Sequence, residues 1–461
     1  MRARRLIPIG LLSASVLLVV YGLTLPPSLT WAHWGADSGD LVTAVARGRL
    51  PHPPGFPTYL LLGAAFVRLP WGDPAWRLNL LSALSAAGAA GLSASAAYLL
   101  SSSAIVAIVT GLSLGLSPLF WSQALIAEVY APAALFSAAV LLLALRPAPA
   151  WLRSALWGLG VGVHPTLLFL APLVGESHEG HELKIGFAVI RVYPRPLLFA
   201  LVTVSLLYGP VLLAWGMAPS PWADLSTPAG WWAYVSGRLY HGYLFGLPLA
   251  LWPRRLLAWA GLMARQFTPV GALLALWGWT RPGQERRGLA LATALAFSAF
   301  TLYAVGYNTA DSLVYLVPGL PLAALWLGGG LAQAAAWLNR RVRWGAWALL
   351  LLPLVQVLLF WKQMDLHRDR SAMEWAERVL EQAPPQAVLL TAQDAHTFTL
   401  WYVHDVLDER PDVTIIDRDL WGYEPYRSMV IGDLGLAAAS GDLSEAMNRA
   451  GRPVVSVSDG Q

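Results

Sequence analysis

Apolar positions run along this chain in long blocks instead of alternating with polar ones. A block of about 18 or more apolar residues is long enough to cross hydrocarbon as a helix. The first spans Leu6 to Leu25, behind Arg2, Arg4 and Arg5. Others cover roughly 76–100, 102–120, 129–146, 197–217, 268–280, 288–307, 316–337 and 344–361. Between 153 and 174 the run breaks at His164-Pro165. Proline there removes a backbone hydrogen bond, so two short helices meeting inside the protein are expected. The pattern predicts a polytopic α-helical membrane protein with about eleven transmembrane helices. Pro26-Pro27, and no small-residue cleavage site, follows the first block. A retained anchor is therefore expected instead of a signal peptide.

The pattern changes after about Asp365. Ser371 to Gln382 has helical spacing, with Met373, Trp375, Ala376, Val379 and Leu380 on one face, and Pro384-Pro385 ends it. Ala387–Thr391 and Asp412–Asp417 read as short buried strands around a helix near 396–407. The remainder is rich in Gly and Asp and poorly patterned. The expected division is a membrane module over 1–362, with a first outer loop at 26–75, and a small soluble α/β domain over 363–461 on the outer side.

Composition agrees with a bilayer solvent: 56% of the 461 residues are hydrophobic and 13% charged. The charge is uneven, with the first 362 positions carrying a net +13 and the tail −9. The basic excess lies at the ends of apolar runs, so it reports topology and not a nucleic-acid partner. Predicted inner loops hold Arg146 and Arg153; Lys184, Arg191 and Arg195; Arg281, Arg286 and Arg287; and Arg340, Arg341 and Arg343. This places the N-terminus inside and the C-terminus outside, in a bacterial-type cytoplasmic membrane. Arg47, Arg49, Arg68, Arg77, Arg238, Arg254, Arg255 and Arg265 fall on the outer side. They suit either an anionic ligand or headgroups of membrane lipids. No cysteine is present, which excludes disulfides and thiolate metal sites.

Ten acidic residues occur before the tail, and six of them fall on the outer side: Asp37, Asp40, Asp73, Glu128, Asp224 and Asp311. Ionisable groups so close to hydrocarbon are costly, which makes each a functional candidate. Asp37-Ser38-Gly39-Asp40 opens an amphipathic helix, where the simplest role for Asp37 is an N-cap, worth about 1 kcal/mol. His52-Pro53-Pro54-Gly55 follows as a stiff, extended segment. Two carboxylates three residues apart could also hold a divalent ion through oxygen ligands, though no metal site is predicted.

Asp37-x-Gly39-Asp40, His52-Pro53-Pro54-Gly55, Arg77-x-Asn79-Leu80-x-Ser82 and Trp121-x-Gln123-Ala124-x-x-x-Glu128-Val129-Tyr130 together resemble glycosyltransferase family 117. These are protein O-mannosyltransferase-like proteins of the GT-C fold. Further matches are Gly160-x-Gly162-x-His164, Tyr307-Asn308-x-x-Asp311-x-x-x-Tyr315-x-x-Pro318, Gln393-Asp394 and Arg410-Pro411-Asp412-Val413. The resemblance covers nearly the whole chain in order; the family commonly carries Glu where this chain has Asp40.

The resemblance implies a GT-C-like fold and transfer of a hexose, mannose above others, from a polyprenyl-phosphate carrier. The acceptor would be a hydroxyl of a protein or glycolipid on the outer face. A loop aspartate is implied as base, so Asp37 is expected in that role with Asp40 as its orienter. His52, Pro53, Pro54, Asn79, Gln123, Glu128, Tyr130, His164, Asn308, Asp311 and Tyr315 are expected to bind substrate, and Arg77, Arg238 and Arg265 to meet the phosphate. Arginine suits that task because its fork matches two oxygens. The rival from another class is a transporter or flippase of a lipid-linked sugar, which would also need buried charges and a broken helix. Convergence of Asp37, His52, Glu128 and Asp311 on one outward cavity favours the enzyme; a pore open to both faces favours transport.

Overall fold

The computed structural model describes residues 2–174, 194–215, 220–283, 286–436 and 442–457. The expected inner-loop residues Glu176, Glu179, Glu182, Lys184, Arg191 and Glu285 lie outside them. Among the described residues, five helical stretches are long and apolar enough to cross a membrane: Leu6–Thr24, Pro74–Ser101, Arg287–Gly306, Ser312–Asn339 and Gly345–Met364. A sixth span forms if Ala104–Gly115 and Pro118–Ala124, bent by 68° at Pro118, are one broken helix. Shorter apolar helices fill Pro57–Phe66, Tyr130–Ala144 and Pro165–Val174, and Pro194–Trp215 forms a 22-residue helix. Leu11, Leu23, Leu273, Leu358 and Leu359 all face outward from their helices. Such exposure is tolerable only where lipid covers it. The chain is an integral membrane protein.

Small residues let these helices approach. A Cβ on Gly91 would stand 2.6 Å from the Gly10 carbonyl, and one on Gly278 would stand 2.0 Å from the Trp326 carbonyl. Without those glycines the backbones could not cross so closely. The break at His164-Pro165 is present: the helix Ala150–Val161 stops, and a tight turn over Pro165–Leu170 follows.

The segment 26–75 is far from a plain loop. It folds into a short helical turn (Ala32–Asp37), the loop helix Ser38–Arg47 and the helix Pro57–Phe66. Eight of the ten residues of the loop helix are buried, down to Asp40. The tail supplies part of that burial. The tail helix Asp394–Trp401 lies so close that a Cβ on Gly39 would stand 2.4 Å from the Phe398 carbonyl. Trp31 Nε1 donates to the Thr399 hydroxyl at 2.9 Å and the Ala395 carbonyl at 3.2 Å. Arg49 meets Asp405 at 2.9 Å, and Arg47 pairs with Asp408. These two arginines therefore hold the tail. Such exposed pairs contribute about 0–1 kcal/mol each, and the apolar seam carries most of the docking.

In the tail, β1 (Val388–Thr391) and β2 (Thr414–Asp417) fall where the sequence places strands. A third strand, β3 (Val454–Ser456), forms within the poorly patterned end. The order is β2-β1-β3, all parallel, with Val388 opposite both Thr414 and Val454. The apolar face expected for 371–382 is buried as drawn.

Candidate active site

The site is built around one histidine. His52 donates its backbone N–H to Asp40 Oδ2 at 2.7 Å, and its Nδ1 meets the same oxygen at 2.8 Å. Its other ring nitrogen lies 3.9 Å from Asp37 Oδ2. Asp40 is buried, while the Asp37 side chain keeps 40% of its surface open. Asp37 occupies the N-cap position but makes no cap hydrogen bond. The N-cap role that its spacing suggests is therefore not what holds it there.

The segment carrying His52 is fixed on both sides. Tyr234 donates its hydroxyl to the Pro51 carbonyl at 2.7 Å and Tyr208 to the Pro54 carbonyl at 3.3 Å. Pro53-Pro54 is cis. Gly55 has φ +94°, and a Cβ there would meet the Tyr234 ring at 2.7 Å. Only glycine fits both demands.

The chosen carboxylates sense one another. Partial desolvation raises the Asp37 carboxyl above its ordinary range; the His52 charge opposes this, and Asp40 and Asp311 add to it. Burial and the Asp37 charge hold Glu128 well above the carboxylate range. Burial works against charge on His52, but Asp37 and the Asp40 hydrogen bond outweigh it and lift His52 to about 9. Among the described residues no group of three His, Asp or Glu side chains is arranged to hold a metal ion.

Aromatic rings close a circuit beside this cluster. His52 meets Phe56 at 5.2 Å, Phe56 stacks on His164 at 5.9 Å, and His164 meets Tyr315 at 5.6 Å. Tyr315 touches Tyr307 at 5.1 Å, Tyr307 touches Tyr243 at 5.9 Å, and Tyr243 touches Tyr240 at 6.4 Å. Tyr240 returns to His52 at 6.3 Å. Tyr130 packs on both His164 and Tyr315. Asn308 and Asp311 sit on the loop after Tyr307, which Arg255 clips by donating to Ser312 Oγ and the Thr309 carbonyl.

Several expected binders serve the frame. Asn79 is buried and donates to the Ser28 carbonyl at 3.0 Å, and Gln123 donates to the His33 carbonyl at 3.0 Å. Both pin the chain that leads into Asp37. Arg77 donates to the carbonyls of Val67, Trp71 and Gly72. Three of its five N–H groups clip that turn, which is the role the structure gives it. Arg238 and Arg265 are exposed and make no hydrogen bond or ion pair among the described residues. Arg265 shares the helix Trp252–Gln266 with Arg254 and Arg255.

Three residues outside the sequence-chosen set complete the site. Tyr240 and Trp222 each lie 6.3 Å from the His52 ring. Asp394, from the tail, is pushed up to about 6 by partial desolvation and the charge of Asp37, with Asp417 adding and His52 opposing. Nothing local marks Trp222 or Tyr240, since their place is made by a fold across nearly 200 positions. Asp394 carries two signals, its position just after a predicted strand and its place in the Gln393-Asp394 match.

The arrangement matches known proteins in sequence and in fold. Residues 37–176 match the family model for the N-terminal domain of the protein O-mannosyl-transferase TMEM260. The mouse protein O-mannosyl-transferase TMEM260 is 25% identical over 448 residues, covering 88% of this chain and 62% of that protein. The Dictyostelium discoideum counterpart is 20% identical and is covered over 57% of its length. The chain thus spans about three fifths of these relatives. Among solved structures, ArnT from Cupriavidus metallidurans bound to undecaprenyl phosphate aligns with a TM-score of 0.55 at 16% identity, over 94% of this chain and 96% of that one. The Archaeoglobus fulgidus oligosaccharyltransferase tethered to an acceptor peptide aligns with a TM-score of 0.50 at 12% identity, over 93% of this chain and 68% of that one. The fold is that of the GT-C membrane glycosyltransferases. The sequence matches support an O-mannosyl-transferase-like family.

Proposed function

We propose that this chain is a membrane glycosyltransferase of family 117, moving a hexose, mannose first, from a polyprenyl-phosphate carrier to a protein hydroxyl on the outer face. The observation that carries the reading is the half-open Asp37 carboxylate, 3.9 Å from a histidine locked by a buried Asp40. A free alcohol is a poor nucleophile near neutral pH, and a positioned carboxylate base contributes about 10²–10⁴-fold. Asp37 takes the acceptor proton, the oxygen forms its bond to the anomeric carbon, and the carrier phosphate leaves with the electron pair. A single displacement inverts that carbon. Asp37, Asp40, Glu128, Asp311 and His52 lie close enough to act on one another electrostatically, and this clustering supports the enzyme reading over transport.

The aromatic circuit offers flat faces for the sugar ring. Phosphate falls to Arg238, Arg254 and Arg265, which make no hydrogen bond or ion pair among the described residues. The undecaprenyl phosphate bound by the ArnT structure supports a carrier of that class.

Purified protein in nanodiscs, offered a panel of polyprenyl-phosphate hexoses and Ser/Thr-containing peptides, should transfer label from the mannose donor to peptide. Transfer only to a glycolipid would replace the acceptor; no transfer from any such donor would end the reading. The proposed orientation has its own check. A reporter fused after Gln461 that works only in the cytoplasm should be silent, and an active one would reverse the assignment of the tail.

A further inference from the structure

The carboxyl end of the tail sheet is turned onto the His52 cluster, and that placement has a functional meaning. In an open parallel sheet the ligand crevice lies outside the carboxyl ends of the strands, where the strand order switches direction. Here the order β2-β1-β3 puts the switch at the end of β1. The chain leaves that end directly into Asp394, the first residue of the tail helix. The same helix is pressed against the loop helix at Gly39 and held by Trp31, so the crevice opens onto Asp37 and His52.

Trp222 sits in the seam between the two. Its ring lies 6.3 Å from His52, 6.1 Å from Phe398 and 6.2 Å from Trp401. The Tyr423 hydroxyl of the tail donates to its carbonyl. The residue is 2% exposed, yet its indole N–H has no partner. A buried donor left unpaired is costly and calls for a ligand. Asp394, by contrast, is open to solvent and makes no hydrogen bond or ion pair among the described residues.

We infer that the acceptor polypeptide is held in this seam, its backbone N–H donating to Asp394 and its carbonyl accepting from the Trp222 N–H. One acceptor and one donor, each close to His52, are what a peptide unit requires, since each residue presents one N–H and one C=O. A bound peptide would then lie beside Asp37, with a Ser or Thr hydroxyl within its reach. The inference rests on the glycosyltransferase reading for its meaning, and on the seam alone for its geometry.

The test uses the full chain in nanodiscs with a fluorescein-labelled Ser/Thr-rich peptide as probe. Asp394→Asn keeps the side-chain shape, and Trp222→Phe keeps a ring while removing the N–H. Each is expected to raise the peptide Kd, and the peptide KM in transfer, by about tenfold, with kcat within threefold and carrier binding unchanged. A purely structural role would instead lower kcat, folding yield and carrier binding together. Peptide Kd within twofold of wild type for Asp394→Asn overturns the inference, even if Trp222→Phe fails to fold. If wild type binds the peptide in a manner sensitive to both substitutions but transfers no sugar, the seam stands and the proposed reaction falls.

Discussion

Asp37→Asn is expected to lower kcat by about 10²-fold or more while leaving carrier binding in place. The substitution is nearly isosteric and removes only the ability to take a proton. It costs no cap, because the carboxylate makes none. Nor should it cost stability. Desolvation holds the Asp37 carboxyl above its ordinary range, so the charged form is disfavoured by the fold and a neutral amide relieves that penalty. The thermal midpoint should therefore hold or rise while turnover collapses. This separation of stability from rate is what a base at position 37 demands. Near-wild-type turnover in Asp37→Asn would remove the base from this position, leaving Glu128 and Asp311 as the next carboxylates to test.

Asp40→Asn should act differently, through His52. The Asp40 Oδ2 atom accepts from both the backbone N–H and the ring of His52, at 2.7 and 2.8 Å. It thereby fixes the imidazole and helps hold its pKa at about 9. In the wild type, kcat/KM should fall as pH rises through about 9, when the imidazolium facing Asp37 is lost. The sign for stability runs the same way. A histidine raised from 6.5 to about 9 contributes stability that is complete below 6.5 and lost as pH climbs through 9. With an amide at position 40, the basic limb should move down by about one unit or more, and kcat at neutral pH should fall by about tenfold to 10²-fold. A basic limb that stays in place would show that Asp40 does not govern His52. Full activity with a shifted limb would show that the imidazolium is not needed.

Much of this arrangement is legible from residue order, and the reason differs from part to part. Apolar blocks and the proline break at 164–165 read directly as helices and their interruption, because a helix in lipid must satisfy its own backbone. The carboxylates of Asp37, Asp40, Glu128 and Asp311 stand out because charges are so scarce around them. The roles assigned to arginines are less legible. Arg77, Arg47, Arg49 and Arg255 share a sign and a side of the membrane with Arg238 and Arg265. Yet the first four spend their donors on carbonyls, a hydroxyl and tail aspartates, and only Arg238 and Arg265 stay unpaired. A guanidinium reaches far enough that its partner cannot be inferred from position along the chain. Within the segment 26–75 the amphipathic helix opened at Asp37–Asp40 is legible, whereas the turn Ala32–Asp37 and the short helix Pro57–Phe66 are not; the loop helix packs in part under the tail.

The sequence by itself determined the solvent, the helical character, the strands at 388–391 and 414–417, and the scarcity that singles out the acidic motifs. These are local properties, set by hydrophobic period and by the cost of charge near hydrocarbon. Only the tertiary structure decided that His52 bridges Asp37 and Asp40, that rings from four separate segments close a circuit, and that the tail lies on the segment 26–75 with Asp394 toward the site. Those relations join residues up to about 360 positions apart, as Trp31 and Ala395 are. They follow from how apolar faces and glycine crossings pack in space, which no local pattern records.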